Sequence, residues 1–152
     1  MEKYNFQYCP KIAVLSSDKN KVLLCRRKGE VDYNDIFSFI GGKMETTDAS
    51  IVAGLKREKD EEVGQNFQLK LYPKFSINIL IRKKDGHSMI VSYYLAIHEK
   101  GDIELSEEYS EYQWVKLAKL AEFEPKFSNI SEVINELRRL EKIAAAKDFI
   151  LI

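Results

Sequence analysis

The chain has no apolar run approaching the roughly 18 residues that a membrane-spanning helix needs. It also lacks any Pro-, Gly- or Ser-rich stretch that would divide it; its three prolines and seven glycines are scattered through 152 residues. Two cysteines, Cys9 and Cys25, are too few for a disulfide framework. If their strand-like runs pair through the turn near "SSDKNK", Cys9 faces about residue 28, too far from Cys25 for a bridge. Reduced thiols and a cytoplasmic protein are the expectation. The opening "MEKYNFQYCPK" lacks the basic-then-apolar order of a signal peptide. Charge of one sign is missing too. Lysine plus arginine and aspartate plus glutamate each number 24, so no overall field draws the chain to nucleic acid or an acidic membrane.

What is present is a core. Hydrophobic residues make up 45% of the chain, enough for an ordered globule, and the length suits one domain over residues 1–152. "KIAVLSS" and "KVLLCRR" flank the polar turn "DKN" and read as a β-hairpin. "DIFSFIGG" reads as a strand running into glycines. From about Asp48 to Val63 the period turns helical, with Val52, Leu55 and Val63 on one side. "KFSINILIRK" and "SMIVSYYLAIHE" follow as strands joined by "KDGH", where Asp-Gly marks a tight turn, and "EYQWVKL" reads as another strand. "SNISEVINELRRLEKIAAA" closes the pattern as an amphipathic helix capped by Ser128 or Ser131, with Ile130, Val133, Ile134, Leu137 and Leu140 on its stripe. Strands, helix, strands, helix, with hairpin connections, predict an α+β fold: a mixed sheet packed between helices.

The helix ending "REKDEEVG" carries the chemistry. With Glu58 as reference, Glu62 lies at about +40° and Glu61 at about −60°, so three carboxylates share an arc of about 100°. Such anions raise one another's pKa. A charge run of this kind is commonly a solvated face; a hard divalent cation, Mg²⁺ or Mn²⁺, is the alternative that removes the repulsion. Gly41 and Gly42 allow backbone to approach the helix closely, and Gly64 ends it where a positive φ is expected. Arg57 stands four residues before Glu61, at ion-pairing distance. Lys59 falls within the apolar stripe, so its stem is expected to snorkel to the core's edge.

Arg57, Glu58, Glu61, Glu62 and Gly64, preceded by Gly42 and Asp48, resemble the signature box of the Nudix hydrolases. Asp48 stands where that family has its first glutamate, with eight residues before Arg57 in place of seven. Lys59 and Gln65 replace apolar residues. "DIFSFIGGKME" and "EYSEYQWVKLAKL" resemble the family's segments before and after the box. The resemblance implies an α/β/α sandwich and Mg²⁺-dependent pyrophosphohydrolysis of a nucleoside diphosphate derivative. Nucleoside triphosphates, oxidised ones included, rank ahead of ADP-ribose or dinucleotides, because a compact domain with short loops shows no additional segment to enclose a second nucleoside. The resemblance also implies Glu58, Glu61, Glu62 and the carbonyl of Gly42 as metal ligands, Arg57 as the residue that positions them, and Glu61 as able to orient the attacking water. The general base is sought in the acidic loop before Trp114: Glu111 first, then Glu108 and Glu107. A nucleotide-binding sensor with little turnover is the second reading, motivated by Asp48, Lys59 and the inserted residue. A homodimer is compatible with either.

Other residues carry less. "RRK", Arg26 to Lys28 at a strand end, is a candidate phosphate contact, Arg26 foremost. Tyr33, Phe37 and Phe39 precede the double glycine as candidates for stacking a base, Phe39 foremost. His87 and His98 have no partners at ligand spacing, and Trp114 reads as core.

Overall fold

The computed structural model describes residues 3–29 and 34–152; Tyr33 lies outside them. Strands β1 (Phe6–Leu15) and β2 (Lys21–Arg27) form the expected hairpin, paired at Leu15↔Val22. "DIFSFIGG" divides into β3 (Phe37–Ser38) and β4 (Ile40–Gly41), which pair with different partners. Helix α1 (Ile51–Val63) follows, then β5 (Gln68–Arg82), β6 (Ser88–Lys100) and β7 (Tyr109–Lys116). A 3₁₀ turn over Leu117–Glu122, helix α2 (Ile130–Ile143) and the short β8 (Ile150–Leu151) complete the chain. The strands run β3-β2-β1-β6-β5-β8 across one sheet, with β4 on β1 and β7 on β2. β1 and β6 are parallel over Phe6↔Ser88 to Leu15↔Ile97, and the other strand pairings are antiparallel.

Period-two alternation sorts the core into two layers. Ile12 and Val14 of β1 pack with Leu55 and Val63 of α1. Ala13 and Leu15 face the other way, into the layer closed by Ile130, Val133, Ile134 and Leu137 of α2. The sheet is therefore sandwiched between the helices, as expected. Cys9 belongs to the α2 layer and Cys25 to the α1 layer, so the sheet itself separates two free thiols.

Local chemistry sets the helix ends. Ser50 caps α1 by accepting the Ala53 N–H at 3.0 Å, which satisfies an amide that the first turn cannot. Gly64 ends it at φ +95°, its N–H donating to the Asp60 carbonyl. The cap of α2 is neither Ser128 nor Ser131 but Asn129, whose side-chain amide donates to the Tyr93 hydroxyl at 3.1 Å instead of capping the helix. Lys59 also departs from expectation. It is 1% exposed, fully inside the core, with Nζ 2.6 Å from Asp60 Oδ1 and 3.5 Å from the Gly64 carbonyl. The ammonium finds its counter-charge one residue along and the carbonyl end of its own helix close by, so it has no need to reach solvent. Trp114 is partly buried against the α1 layer, near Phe67.

Candidate active site

The double glycine is where the sheet meets α1. Pairing of β4 with β1 sets Gly41 opposite Lys11; φ there is +130°, and a Cβ would lie 2.4 Å from the Pro10 carbonyl oxygen. Only glycine fits. At Gly42 a Cβ would lie 2.5 Å from Glu58 Oε2. The missing side chain is thus the space that the Glu58 carboxylate occupies, and the backbone is pressed against it.

Arg57 organises the neighbouring carboxylates. Its Nε and Nη2 donate to the two oxygens of Asp48, both at 2.8 Å. Its Nη1 lies 2.9 Å from Glu58 Oε1, 3.3 Å from Glu45 Oε2 and 3.4 Å from Glu61 Oε2. The paired guanidinium pulls the Asp48 carboxyl down to about 2. Burial pushes the Glu58 pKa up; Arg57 opposes this, and the charges of Glu61 and Glu108 add to it. These oxygens therefore sense one another as a cluster.

Glu62 is held differently. It is 0% exposed, and it accepts the Gly41 N–H at 2.6 Å and the Tyr109 hydroxyl at 2.8 Å, with Arg27 Nη2 at 3.6 Å. Burial drives its pKa up to about 7, against the pull of Lys11, Arg27 and the two donors. Arg27 also donates to the Gly41 carbonyl at 3.1 Å and lies over the Tyr109 ring. One network thus ties β2, β7 and α1 to the glycine turn.

A cavity of about 500 Å³ opens over these groups. Its lining includes Glu45, Glu58, Glu61, Glu62 and Glu108, together with Gly42, Arg27 and Arg57, and an apolar set from the α2 layer: Phe39, Val91, Tyr93, Phe127 and Ile130. Asn129 lines it as well, and its Oδ1 is buried with no hydrogen-bond partner among the described residues. The walls thus combine charged and apolar side chains.

The structure brings Gly42, Arg57, Glu58, Glu61, Glu62 and Phe39 together in this cavity. It does not bring Arg26 or Glu111. These two face each other across the β2–β7 ladder, joined at 3.2 Å, and Arg26 also pairs with Asp35 and covers the Phe37 ring. The cavity takes their neighbours: Arg27, one residue on, and Glu108, which precedes β7 and lies 3.7 Å from Arg27 Nη1. Adjacent strand residues point to opposite faces, so one position separates Arg27, turned to Glu62 and Tyr109, from Arg26, turned to Phe37. Tyr109 and Asn129 were missed entirely. An aromatic at the start of a strand and an asparagine before a helix carry no signal distinct from packing and capping.

The donors are all hard oxygens, packed on a glycine that leaves room for them, and so fit a divalent cation in kind. Among the described residues, no three acidic, His or Cys side chains stand close enough to hold a metal as they are. The Arg57 guanidinium lies between Glu58 and Glu61, and the Glu62 oxygens are turned to Gly41 and Tyr109.

The family profile described as NUDIX domain matches residues 10–137. Among solved structures, a MutT protein from Methanosarcina mazei Go1 superposes with a TM-score of 0.73 at 21% identity, over 93% of this chain and 99% of that one. A C. elegans Ap4A hydrolase in a binary complex gives 0.73 at 14% identity, over 90% and 98%. The NUDIX domain of Shewanella oneidensis NrtR complexed with ADP ribose gives 0.68 at 17% identity, over 90% and 89%. No curated protein matches the chain in sequence.

Proposed function

Since the chain belongs to the Nudix family, which the NUDIX match over most of its length shows, we propose that it hydrolyses a phosphoanhydride bond in a nucleotide, with nucleoside triphosphates preferred. The observation that carries this reading is the mixed lining of the cavity, a charged set of side chains beside an apolar one. A polyphosphate needs positive charge and hard-oxygen chemistry, a nucleobase needs an apolar slot with a few polar contacts, and the cavity offers both.

In the charged set, the carboxylates of Glu58, Glu61 and Glu62 and the carbonyl of Gly42 would hold Mg²⁺ or Mn²⁺. Such an ion neutralises phosphoryl oxygens and acidifies a water. Each carboxylate oxygen has two lone pairs, so Glu62 can accept from Gly41 and Tyr109 and still present an acceptor to the cavity. Arg57, anchored on Asp48, fixes the orientation of Glu58 and Glu61; Glu61 lies at the cavity and helps to orient the attacking water. The general base passes from Glu111 to Glu108, because a base must reach the proton that it removes and only Glu108 of the two lines the cavity. In the apolar set, Phe39 and Tyr93 meet edge to face and form a wall for the base, while Asn129 Oδ1 offers an acceptor to an N–H on its rim.

Two of the three features that prompted the sensor reading have structural roles. Lys59 is buried in the core, and Asp48 restrains Arg57. A panel of nucleotides assayed for phosphate and pyrophosphate release, with Mg²⁺ and with a chelator, tests the proposal. Chelator-sensitive turnover is expected; tight nucleotide binding with no release under any metal supports a sensor. ADP-ribose cleaved in preference to every triphosphate would overturn the ranking and direct attention to a second copy of the chain as cover for the additional nucleoside.

We place the whole chain in one catalytic domain acting on a small-molecule substrate in a reducing compartment such as the cytoplasm. Two buried, unbridged thiols on opposite faces of the sheet support this. Among the described residues, no helix is long and apolar enough to cross a membrane.

A further inference from the structure

The β2–β7 ladder shifts register beside the site, between Arg26 and Arg27. From Lys21↔Lys116 to Arg26↔Glu111 the pairing is regular, with Leu23, Cys25 and Trp114 turned to the α1 layer. The next pair is Arg27↔Tyr109, so Ser110 is an additional residue with no opposite number on β2. A regular strand would set Ser110 against Arg27 and turn Tyr109 to the α2 layer. The bulge instead rotates Tyr109 into the α1 layer, where it is buried in the same cluster as Cys25.

What the bulge delivers is a contact. Tyr109 Oη donates to Glu62 Oε2 at 2.8 Å, while Arg27, opposite it, lies over its ring and stands 3.6 Å from the same oxygen. The main chain repeats the tie. The Ser106 N–H donates to the Glu62 carbonyl at 2.9 Å, the Glu104 N–H to the Val63 carbonyl at 2.9 Å, and the Tyr109 N–H to the Ser106 carbonyl at 3.3 Å. Glu108, which lines the cavity, lies between Ser106 and Tyr109. The segment that carries it is thus fastened to Glu62 twice, through that residue's carbonyl and through its carboxylate.

We propose that Tyr109 is a positioning residue of the site: its hydroxyl holds the Glu62 carboxylate as a metal ligand and keeps Glu108 at a fixed separation from it. This rests on the cavity being a metal-dependent phosphoanhydride site. With Oε1 on the Gly41 N–H and Oε2 on the Tyr109 hydroxyl, Glu62 has one orientation and a lone pair of each oxygen left for a cation. Outer partners of this kind are worth about ten- to a hundredfold in metal affinity or activity. A base must also lie within about 3 Å of the proton that it removes, so slack in either glutamate is felt in kcat.

The test uses Tyr109→Phe, which keeps the ring and removes only the hydroxyl. Tyr112→Phe, at an exposed tyrosine on the same strand, is the control. Calorimetry with Mn²⁺ and no nucleotide reads the metal site, and kinetics across a Mg²⁺ titration read catalysis. Tyr109→Phe is expected to weaken Mn²⁺ binding about tenfold at unchanged stoichiometry. At saturating Mg²⁺ its kcat should still be about ten- to a hundredfold low, with KM for a nucleoside triphosphate within about twofold. Tyr112→Phe should match wild type throughout. Wild-type Mn²⁺ affinity overturns the proposal, as does a lowered stoichiometry at unchanged affinity, which is loss of folded protein. Recovery of full kcat at saturating Mg²⁺ overturns the link to Glu108. If wild type binds Mn²⁺ and turns over no nucleotide, the hydrolase reading falls, and the Mn²⁺ affinities of the two variants decide the role of Tyr109 on their own. A wild type that binds no Mn²⁺ overturns the proposal together with the metal assignment.

Discussion

Arg57 grips Asp48 through two parallel hydrogen bonds of equal length, Nε to Oδ1 and Nη2 to Oδ2, both 2.8 Å. The fork geometry sets the guanidinium plane, and its remaining nitrogen is what touches Glu58 and Glu61. Asp48 therefore acts through Arg57, at a distance from the cavity's chemistry. We expect Asp48→Asn to lower kcat by about ten- to a hundredfold, since loss of one fork bond lets the carboxylates drift. Asp48→Glu tests the inserted residue. With an additional methylene in a loop already one residue longer, it should also lower kcat, whereas wild-type rates in both variants would remove Asp48 from the site.

The exchange of Glu111 for Glu108 separates two glutamates three residues apart by function. Glu108→Gln should reduce kcat by about ten- to a thousandfold with little change in the Mg²⁺ requirement. Glu111→Gln should cost less than about threefold, because it loosens an exposed ion pair with Arg26 and touches nothing in the cavity. Steady-state rates across a Mg²⁺ titration check both. The reverse order of severity would return the base to β7.

Glu62 predicts a pH dependence of stability. Its folded pKa is raised from 4.5 to about 7 by burial. The folded state thus binds its proton more tightly than the unfolded state does. That stability is fully present below about pH 4.5 and is lost as pH rises through about 7. The loss is on the order of 3 kcal/mol, roughly 5–10 °C in Tm, measured without metal. Glu62→Gln should flatten this part of the profile and lower turnover by at least about a hundredfold. A thermal melt series of the two proteins reads the first effect and kinetics the second; parallel melting profiles would mean that Glu62 is ionised at little cost.

Lys59→Leu should change stability by less than about 1 kcal/mol, and favourably if at all. The leucine fills a site that is already apolar, and Asp60 keeps its partner Lys56 at 2.7 Å. KM and the Mg²⁺ dependence should not move. A raised KM would place the ammonium near substrate, contrary to its burial.

The hairpins and both helices were legible in the sequence because their signals are local: a polar turn, a period, a cap, a glycine. Gly42, Arg57, Glu58, Glu61 and Glu62 were legible for the same reason, lying within one turn and one helix. What could not be read depends on parity and on distance along the chain. Arg26 and Arg27 are the same residue type in the same run, and the register shift between them is invisible until β7 is laid beside β2. Glu111 looked apt by its spacing from Trp114, but β7 begins at Tyr109 and carries it to a ladder position opposite Arg26. Lys59 broke the apolar stripe, and nothing local shows that the carboxylate of the next residue would follow it into the core. β8, two residues long, offers too little pattern to be seen.

The parallel pairing of β1 with β6 has a consequence for how the molecule comes into being. Cys9 and Lys11 on β1 and Met89, Val91 and Tyr93 on β6 wall the same cavity, and only this long-range pairing brings them together. During synthesis, β1 can meet β2 and β4 early, and α1 can form with every one of its glutamates in place, long before β6 leaves the ribosome. Closing so long a loop comes late and slowly compared with local turns. A nascent or truncated chain that stops short of β6 therefore carries the complete acidic box and no cavity. Activity should switch on as a single step when β6 docks, so refolding followed by catalysis should lag refolding followed by helical signal.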